Sequence, residues 1–555
     1  MNNTIQLYTD DEKQSKGYPV TTPDRVVYEN GKTVKDKLKN NVKYDVVGQA
    51  TAPSLNLGYD DREIKKQINA IEGQLDIIAS YKMKSNYNLK NDGKADTTIE
   101  FNKVLENENF IYLKKGTYKV SDLNISNKII IGELGSRILV DTLTDKKEFS
   151  ILMSGDIYIK NVIFEIKHGS TRTTLVSLQN VSKGIFENCE FISEDGGATT
   201  SHTPLDLYRN NQNIIFENCK ITCNHLNGTG GIWIRNLDSS IEKTTKNIVF
   251  NNCSCYKASG DEILAIWGWR GYVENVKFSN CYFGSSSTAK NPSHFFSIGM
   301  TGNLKRVIFE NSIIDTKHNI TTIGNSIFKT IYDTTGSMLD GCILDGLTIR
   351  DCTIKVNGSN TSGCVIFRGE NNTNSKNLVI DNCKIIAGTV NQVIVGKYDL
   401  INCTIEIDEA TSGIFSHLNK IKNNSISATK GKLLGTNSSY GLIFEGNEVK
   451  YANDSNFIVA HYLADFELTF INNTFKFNTP ITQFIVCNDN NLSPTIKIIN
   501  NKFTHFGMYL TTSNNTKLLM VNNDINNNSS TIGSSVSKDG ILNNFINSAF
   551  KPSGL

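Results

Sequence analysis

The chain has 555 residues, 57 Lys and Arg against 55 Asp and Glu for a formal net charge of +2, and 39% hydrophobic residues with only 8 Pro. Near-neutral charge excludes a global electrostatic footprint for nucleic acid, and no apolar run approaches the roughly 20 residues that span a bilayer. The start, MNNTIQLYTDDEKQ, lacks the basic and apolar regions of a signal peptide, so the expectation is a chain made in the cytoplasm, with no nucleic-acid partner and no membrane insertion.

Residues 1–58 have no sustained period and read as a small attachment segment. Over 59–85, Ile64, Ile68, Ile71, Leu75 and Ile78 recur at spacings of four and three, a heptad seam. So short a seam does not stand alone. It is expected to be either the helical, coiled-coil neck of an oligomer or an amphipathic helix capping the larger domain downstream.

The segment 87–120 then carries Asp92, Gly93, Asp96, Thr97, Phe101, Ile111, Tyr112, Gly116, Thr117 and Tyr118. This pattern resembles the lead-in of the pectate-lyase-like superfamily, with Ala95 where a second Asp is common and Lys115 in place of Pro. Asp96 or Thr97 is expected to cap a helix that covers the first coil.

From 185 onward one phrase recurs, as in IFENCEF (185–191), IIFENCKI (214–221), IVFNNCSC (248–255), LTIRDCTI (347–354) and LTFINNTF (468–475). One column reads Asn188, Asn218, Asn252, Asn280, Asn311, Asp351, Asn382, Asn402, Asn423, Gly446, Asn472, Asn500, Asn522 and Asn543, at intervals of 20 to 40 residues. A repeat of that size means a solenoid. Alternating Val, Ile and Phe mark strands, and Asn marks a turn that tolerates left-handed backbone and bonds its stacked neighbour. The expected fold is all-β, a right-handed parallel β-helix over 86–546, with a tail at 547–555.

The column after Asn reads Cys189, Cys219, Cys253, Cys281, Ser312, Cys352, Cys383 and Cys403, then mostly Asn. Free, buried thiols in a ladder are the expected state. A metal cluster of Cys219, Cys223, Cys253, Cys255 and His225 is the competing reading, against which stand spacings unlike those of a zinc module.

Candidate chemistry concentrates in 200–330, where long intervals imply loops walling one region. All 3 Trp lie there; Trp233 and Trp267 each follow their Asn by 15 residues, Trp269 faces as Trp267 does, and Phe295 is placed to continue the column. A row of aromatics is a candidate sugar platform, the alternative being an interior stack. Arg209, Arg235, Arg270, Lys329 and Arg368 fall at similar offsets and suit an anionic polymer such as a teichoic acid or uronate glycan, or a solvated face of ion pairs. Asp206, Asp238, Asp261 and Glu262 bring carboxylates to the same region, as glycoside hydrolysis requires. For phosphodiester cleavage they would instead hold a divalent cation such as Ca²⁺.

Asn236-Leu237-Asp238, Asp261-Glu262 and His294 ahead of Ser297-Ile298-Gly299 resemble, in order and spacing, the motifs of polygalacturonase-type glycoside hydrolases. That resemblance implies Asp261 or Glu262 as general acid, Asp238 as the base with a water, and His294 as an orienting group. Glycines are missing around His294, and only Lys317 stands where an Arg-x-Lys would fall, departures that speak against a polygalacturonase specificity and leave open a relative with an altered substrate. Residues 17–44 resemble N-terminal segments of tail-spike and baseplate proteins of phages that infect low-GC Gram-positive bacteria. The order attachment, neck, spike then implies a homotrimeric phage tail spike, located in the virion tail and joined to other tail proteins through its N-terminus. It would bind and depolymerise a host cell-wall glycan or teichoic acid. The alternative is a receptor-binding adhesin without catalysis, using the same Asp206, Arg209, Trp233, Arg235, Trp267, Trp269, Arg270 and Phe295 groove.

Overall fold

The computed structural model describes Ile5–Leu7, Val26–Tyr28 and, between 89 and 546, the strands and turns of the coils; loop stretches that include 225–229, 237–243, 258–261, 268–270 and 287–293 lie outside the described residues. The chain divides into two units, Met1–Asn88 and Leu89–Leu555. In the first, Ile5–Leu7 and Val26–Tyr28 pair antiparallel. The expected neck at 59–85 falls outside the described residues.

The second unit is a parallel β-helix, as the repeat requires. Each full coil has three strands, and each strand pairs in parallel with its counterpart one coil on. Strands before the Asn turn, such as Gln212–Glu217, Thr245–Asn251 and Tyr272–Ser279, build a first face. Those after it, such as Lys220–Cys223, Ser254–Lys257 and Tyr282–Ser285, build a second. A third face stacks Thr203–Arg209, Ile232–Arg235, Leu264–Trp267, His294–Ile298, Ser326–Thr330 and Val365–Gly369.

The lead-in forms as expected. Helix Thr98–Asn107 buries Phe101 and Leu105; its N-cap position is Thr97, whose side chain makes no capping bond, and Asp96 ahead of it accepts from the Thr98 N–H at 2.8 Å. The Phe101 ring meets Tyr118 edge-on at 6.1 Å.

The Asn column takes the left-handed backbone expected of it. Its thirteen described members have φ between 48° and 65°, Gly446 being the largest. Side chains bridge successive coils, as from Asn382 Nδ2 to Asp351 Oδ1 at 2.6 Å and from Asn402 Nδ2 to Asp381 Oδ1 at 3.0 Å. A second left-handed column was not foreseen. Asn213, Asn247 and Asn275 at the corner into the first face have φ of 54°, 58° and 57°, and their amides are laddered at 2.9 Å.

Inside, the Phe of the repeated phrase stacks. Phe186, Phe216, Phe250, Phe278 and Phe309 lie 4.4–4.9 Å apart at nearly parallel planes, each stacked pair contributing about 0.5–1.5 kcal/mol beyond its burial. The ten described cysteines are free and buried. Most ladder thiols point at a backbone carbonyl of the preceding coil: Cys219 at Phe186, Cys253 at Phe216 and Cys383 at Ile349, all at 3.3 Å. Beyond Cys403, Asn424, Asn447, Asn473, Asn501 and Asn523 take over the same task. Asn447 Nδ2 donates to the Ile421 carbonyl at 2.9 Å and to Asn473 Oδ1 at 3.0 Å, and its own Oδ1 accepts from the Asn424 N–H and side-chain amide, both at 2.9 Å. Cys and Asn are thus alternative small donors in one seam, and the Asn version satisfies its acceptor too. The zinc-like reading of the cysteines finds no support: among the described residues no group of three or more His, Cys, Asp and Glu side chains is placed to hold a metal ion, and His225 lies outside them.

Candidate functional site on the third face

Alternation along the third face turns Leu205, Ile232, Ile234, Leu264, Ile266 and Phe296 inward, where all are buried. The register then sets Ser177, Asp206, Trp233, Ala265, Ser297, Lys329 and Arg368 side by side in one outward row. Trp233 is therefore level with Ala265, and Trp267 with Arg235. Equal counting from Asn218 and Asn252 misplaces the two rings by two residues. The connection into this face spans 224–231 in one coil and only 258–263 in the next. An even shift keeps both side chains on the outer side, and the rings still meet diagonally, centroids 5.7 Å apart and tilted by 32°.

Phe295 does not continue this row. Ser297 is the residue level with Ala265, whereas Phe295 lies two residues upstream, fully buried and edge-on to Phe296 at 5.0 Å and His318 at 5.7 Å.

Arg235 organises the upper part of the face. Its Nε donates to Asp206 Oδ1 at 3.0 Å and a terminal nitrogen donates to Oδ2 at 2.7 Å; the same nitrogen lies 3.5 Å from Glu148. Its guanidinium carbon sits 4.6 Å from the Tyr208 ring centroid and 4.4 Å from that of Trp233. The fork expected to greet an anionic polymer is thus engaged within the protein. Asp206, expected to contact substrate, is completely buried beneath it. Burial pushes the Asp206 carboxyl up to about 6, with Arg235 opposing. These two residues hold the rings rather than meet a ligand. Arg209 remains exposed, its guanidinium carbon 5.0 Å from the Tyr208 ring centroid.

Tyr208 extends the aromatic strip upward: Phe149 meets it edge-on at 5.3 Å. Tyr208, Trp233 and Trp267 thereby stand on three successive coils, with Phe149 two coils above Tyr208, beyond the coil of Thr174. At its upper end Phe149, with Glu148, Ser150 and Leu152, lines a groove of about 870 Å³ against the helix residues Asn102 and Leu105. Phe149, Tyr208 and Glu148 escaped the sequence reading. The only signal for Tyr208 was its place between Asp206 and Arg209, and strand Phe149–Ile166 precedes the recognisable phrase.

Lower on the face, Glu262 is nearly buried and accepts from Ser297 Oγ at 2.9 Å, while Lys257 Nζ donates to its carbonyl oxygen at 2.9 Å. Ser297, Lys329 and Arg368 are register neighbours. His294 pairs through Nδ1 with Ser326 Oγ at 3.0 Å, and burial, reinforced by Lys329 and Arg368, pushes its imidazole down to about 3. It is a neutral hydrogen-bonding group. Asp238, Asp261, Trp269 and Arg270 lie outside the described residues, so of the expected catalytic carboxylates only Glu262 is placed.

No known protein family matches the chain, and no curated protein matches it either. Among solved structures, two of the Streptococcus pneumoniae surface adhesin PfbA are similar at 12% identity, each covering 72% of this chain. One is covered over 92% of its length with a TM-score of 0.37, the other over 98% with 0.41. A Yersinia enterocolitica family 28 exopolygalacturonase is similar at 11% identity over 82% of this chain and 78% of its own, with a TM-score of 0.27.

Proposed function

We propose that the protein is a glycan-binding spike whose receptor polymer lies along the third face. The carrying observation is the strip Phe149, Tyr208, Trp233 and Trp267, locked in place by Arg235. Rigid aromatics, with the Phe149–Tyr208 and Trp233–Trp267 centroids 5.3 and 5.7 Å apart, offer stacking surfaces that a flexible loop would not hold in line. Arg209, exposed beside Tyr208, favours an anionic polymer: a teichoic acid or an acidic polysaccharide of the host cell wall. The sequence order of attachment segment, neck and coils supports a place in a phage tail as a homotrimer.

A second reading, depolymerisation, rests on Glu262, a carboxylate held by Ser297 on the same face. In it Glu262 or Asp261 protonates the leaving oxygen, Asp238 activates water, and His294 orients a hydroxyl. The test is incubation with purified cell walls of low-GC Gram-positive bacteria, comparing wild type, Trp233→Ala/Trp267→Ala and Glu262→Gln. Binding lost in the Trp variant supports the strip, and binding retained there overturns it. Fragments released by wild type but not by Glu262→Gln establish the hydrolase; binding without fragments leaves an adhesin.

A further inference from the structure

The second face carries an exposed cluster that neither reading uses. Tyr256, Tyr282 and Ile313 are 37%, 41% and 45% exposed on three successive coils. Register places Tyr256, Gly284 and Asp315 in one row and Ser254, Tyr282 and Ile313 in the row beside it. Gly284 has no side chain to fill its place. The Tyr282 ring fills it instead: a Cβ on Gly284 would lie 2.6 Å from Tyr282 Cε1 and 2.8 Å from its hydroxyl oxygen. The ring lies against the backbone between Tyr256 and Asp315, with much of its surface open to water. Asp315 is held from the far side by the Asn357 amide at 2.8 Å.

We propose that Tyr256 and Tyr282 form a second glycan-binding site, which takes one neutral pyranose through its C–H face. The Tyr282 ring, seated over Gly284, offers an aromatic surface against which the apolar face of a sugar ring can stack. Ring hydroxyls at the edge of the stack reach Asp315, whose carboxylate has acceptor sites beyond the one Asn357 uses. The same negative charge disfavours a uronate ring. This site lies on a different face from the aromatic strip and does not depend on it.

The test is electrophoresis of the full chain through native gels cast with hydroxyethyl cellulose, galactan, glycol chitin or polygalacturonate, with light scattering alongside. Wild type should be retarded by at least one neutral polymer. Tyr256→Ala/Tyr282→Ala should weaken that retardation about tenfold, and Tyr282→Phe should keep it. Gly284→Ala, which displaces the ring without removing it, should weaken it as well. Trp233→Ala/Trp267→Ala should leave the neutral-polymer retardation in place, which separates this site from the third face. Retardation unchanged in the double Tyr variant, or no retardation of wild type by any neutral polymer, would overturn the proposal. So would a fall in mass of that variant, which would make the cluster a contact between copies.

Discussion

Asp206 and Arg235, 29 residues apart, meet across adjacent coils through a two-pronged charge-assisted bond of 2.7 and 3.0 Å. Removing one partner strands the other. Asp206→Ala should destabilise the coils by about 3–5 kcal/mol, the range for breaking a buried pair, whereas Asp206→Leu/Arg235→Met should recover most of that loss. Denaturant midpoints of the three proteins provide the check. The single variant should also weaken polymer binding, because Arg235 is what Tyr208 and Trp233 rest against.

The same carboxyl makes the site sensitive to mild acid. Its folded value of about 6 exceeds the ordinary 3.8, so the folded state binds the proton more tightly than the unfolded chain does. The resulting stabilisation is full below about 3.8 and is lost as pH rises through about 6. Protonation also weakens the grip on Arg235. All 3 Trp of the chain lie at 233–269, so tryptophan fluorescence should titrate with a midpoint near 6 in wild type. The transition should be absent in Asp206→Asn.

Glu310 behaves in the opposite sense. Lys277 at 2.7 Å, Arg350 and the Ser279 hydroxyl at 3.0 Å surround its nearly buried carboxylate and together hold it down to about 2 against the burial that opposes them. A depressed acid stabilises above its unfolded value of 4.5 and loses that contribution as pH falls through about 2. Glu310→Gln should cost about 2 kcal/mol at neutral pH and flatten the acid limb of a thermal-stability profile.

Along the internal seam, substitutions should separate by chemistry. Cys253→Ser should cost under about 1 kcal/mol, since Ser312 already occupies an equivalent position and accepts from the Cys281 N–H at 3.0 Å. Asn447→Ala orphans donors and acceptors on both neighbouring coils and should cost about 2–4 kcal/mol. Urea unfolding of the two variants against wild type measures the difference.

The fold was legible because a solenoid writes its geometry repeatedly: left-handed corners favour Asn, and where the column departs from it, Asp351 and Gly446 are residues that also tolerate that backbone. The site was legible in its composition and not in its register. Trp233 and Trp267 lie on paired strands but are not level, because loop length, not distance from the Asn turn, decides which residues stand side by side. Burial was the other invisible quantity. Arg235 reads as a free cation until Asp206 is found beneath it, and Phe295 reads as exposed until the corner packing around His318 is seen.

The change of seam from thiols to amides also divides the rod mechanically. Between Asn424 and Asn523 successive rungs are locked to one another by side-chain amides, while between Cys189 and Cys403 the thiols make only weaker bonds to carbonyls, as Cys219 does to Phe186 and Glu217. Under tension along the axis, coils of the first kind should part together as a block and those of the second should peel away singly. The end that carries the candidate receptor surface is therefore the compliant one, and the distal coils are the stiff one.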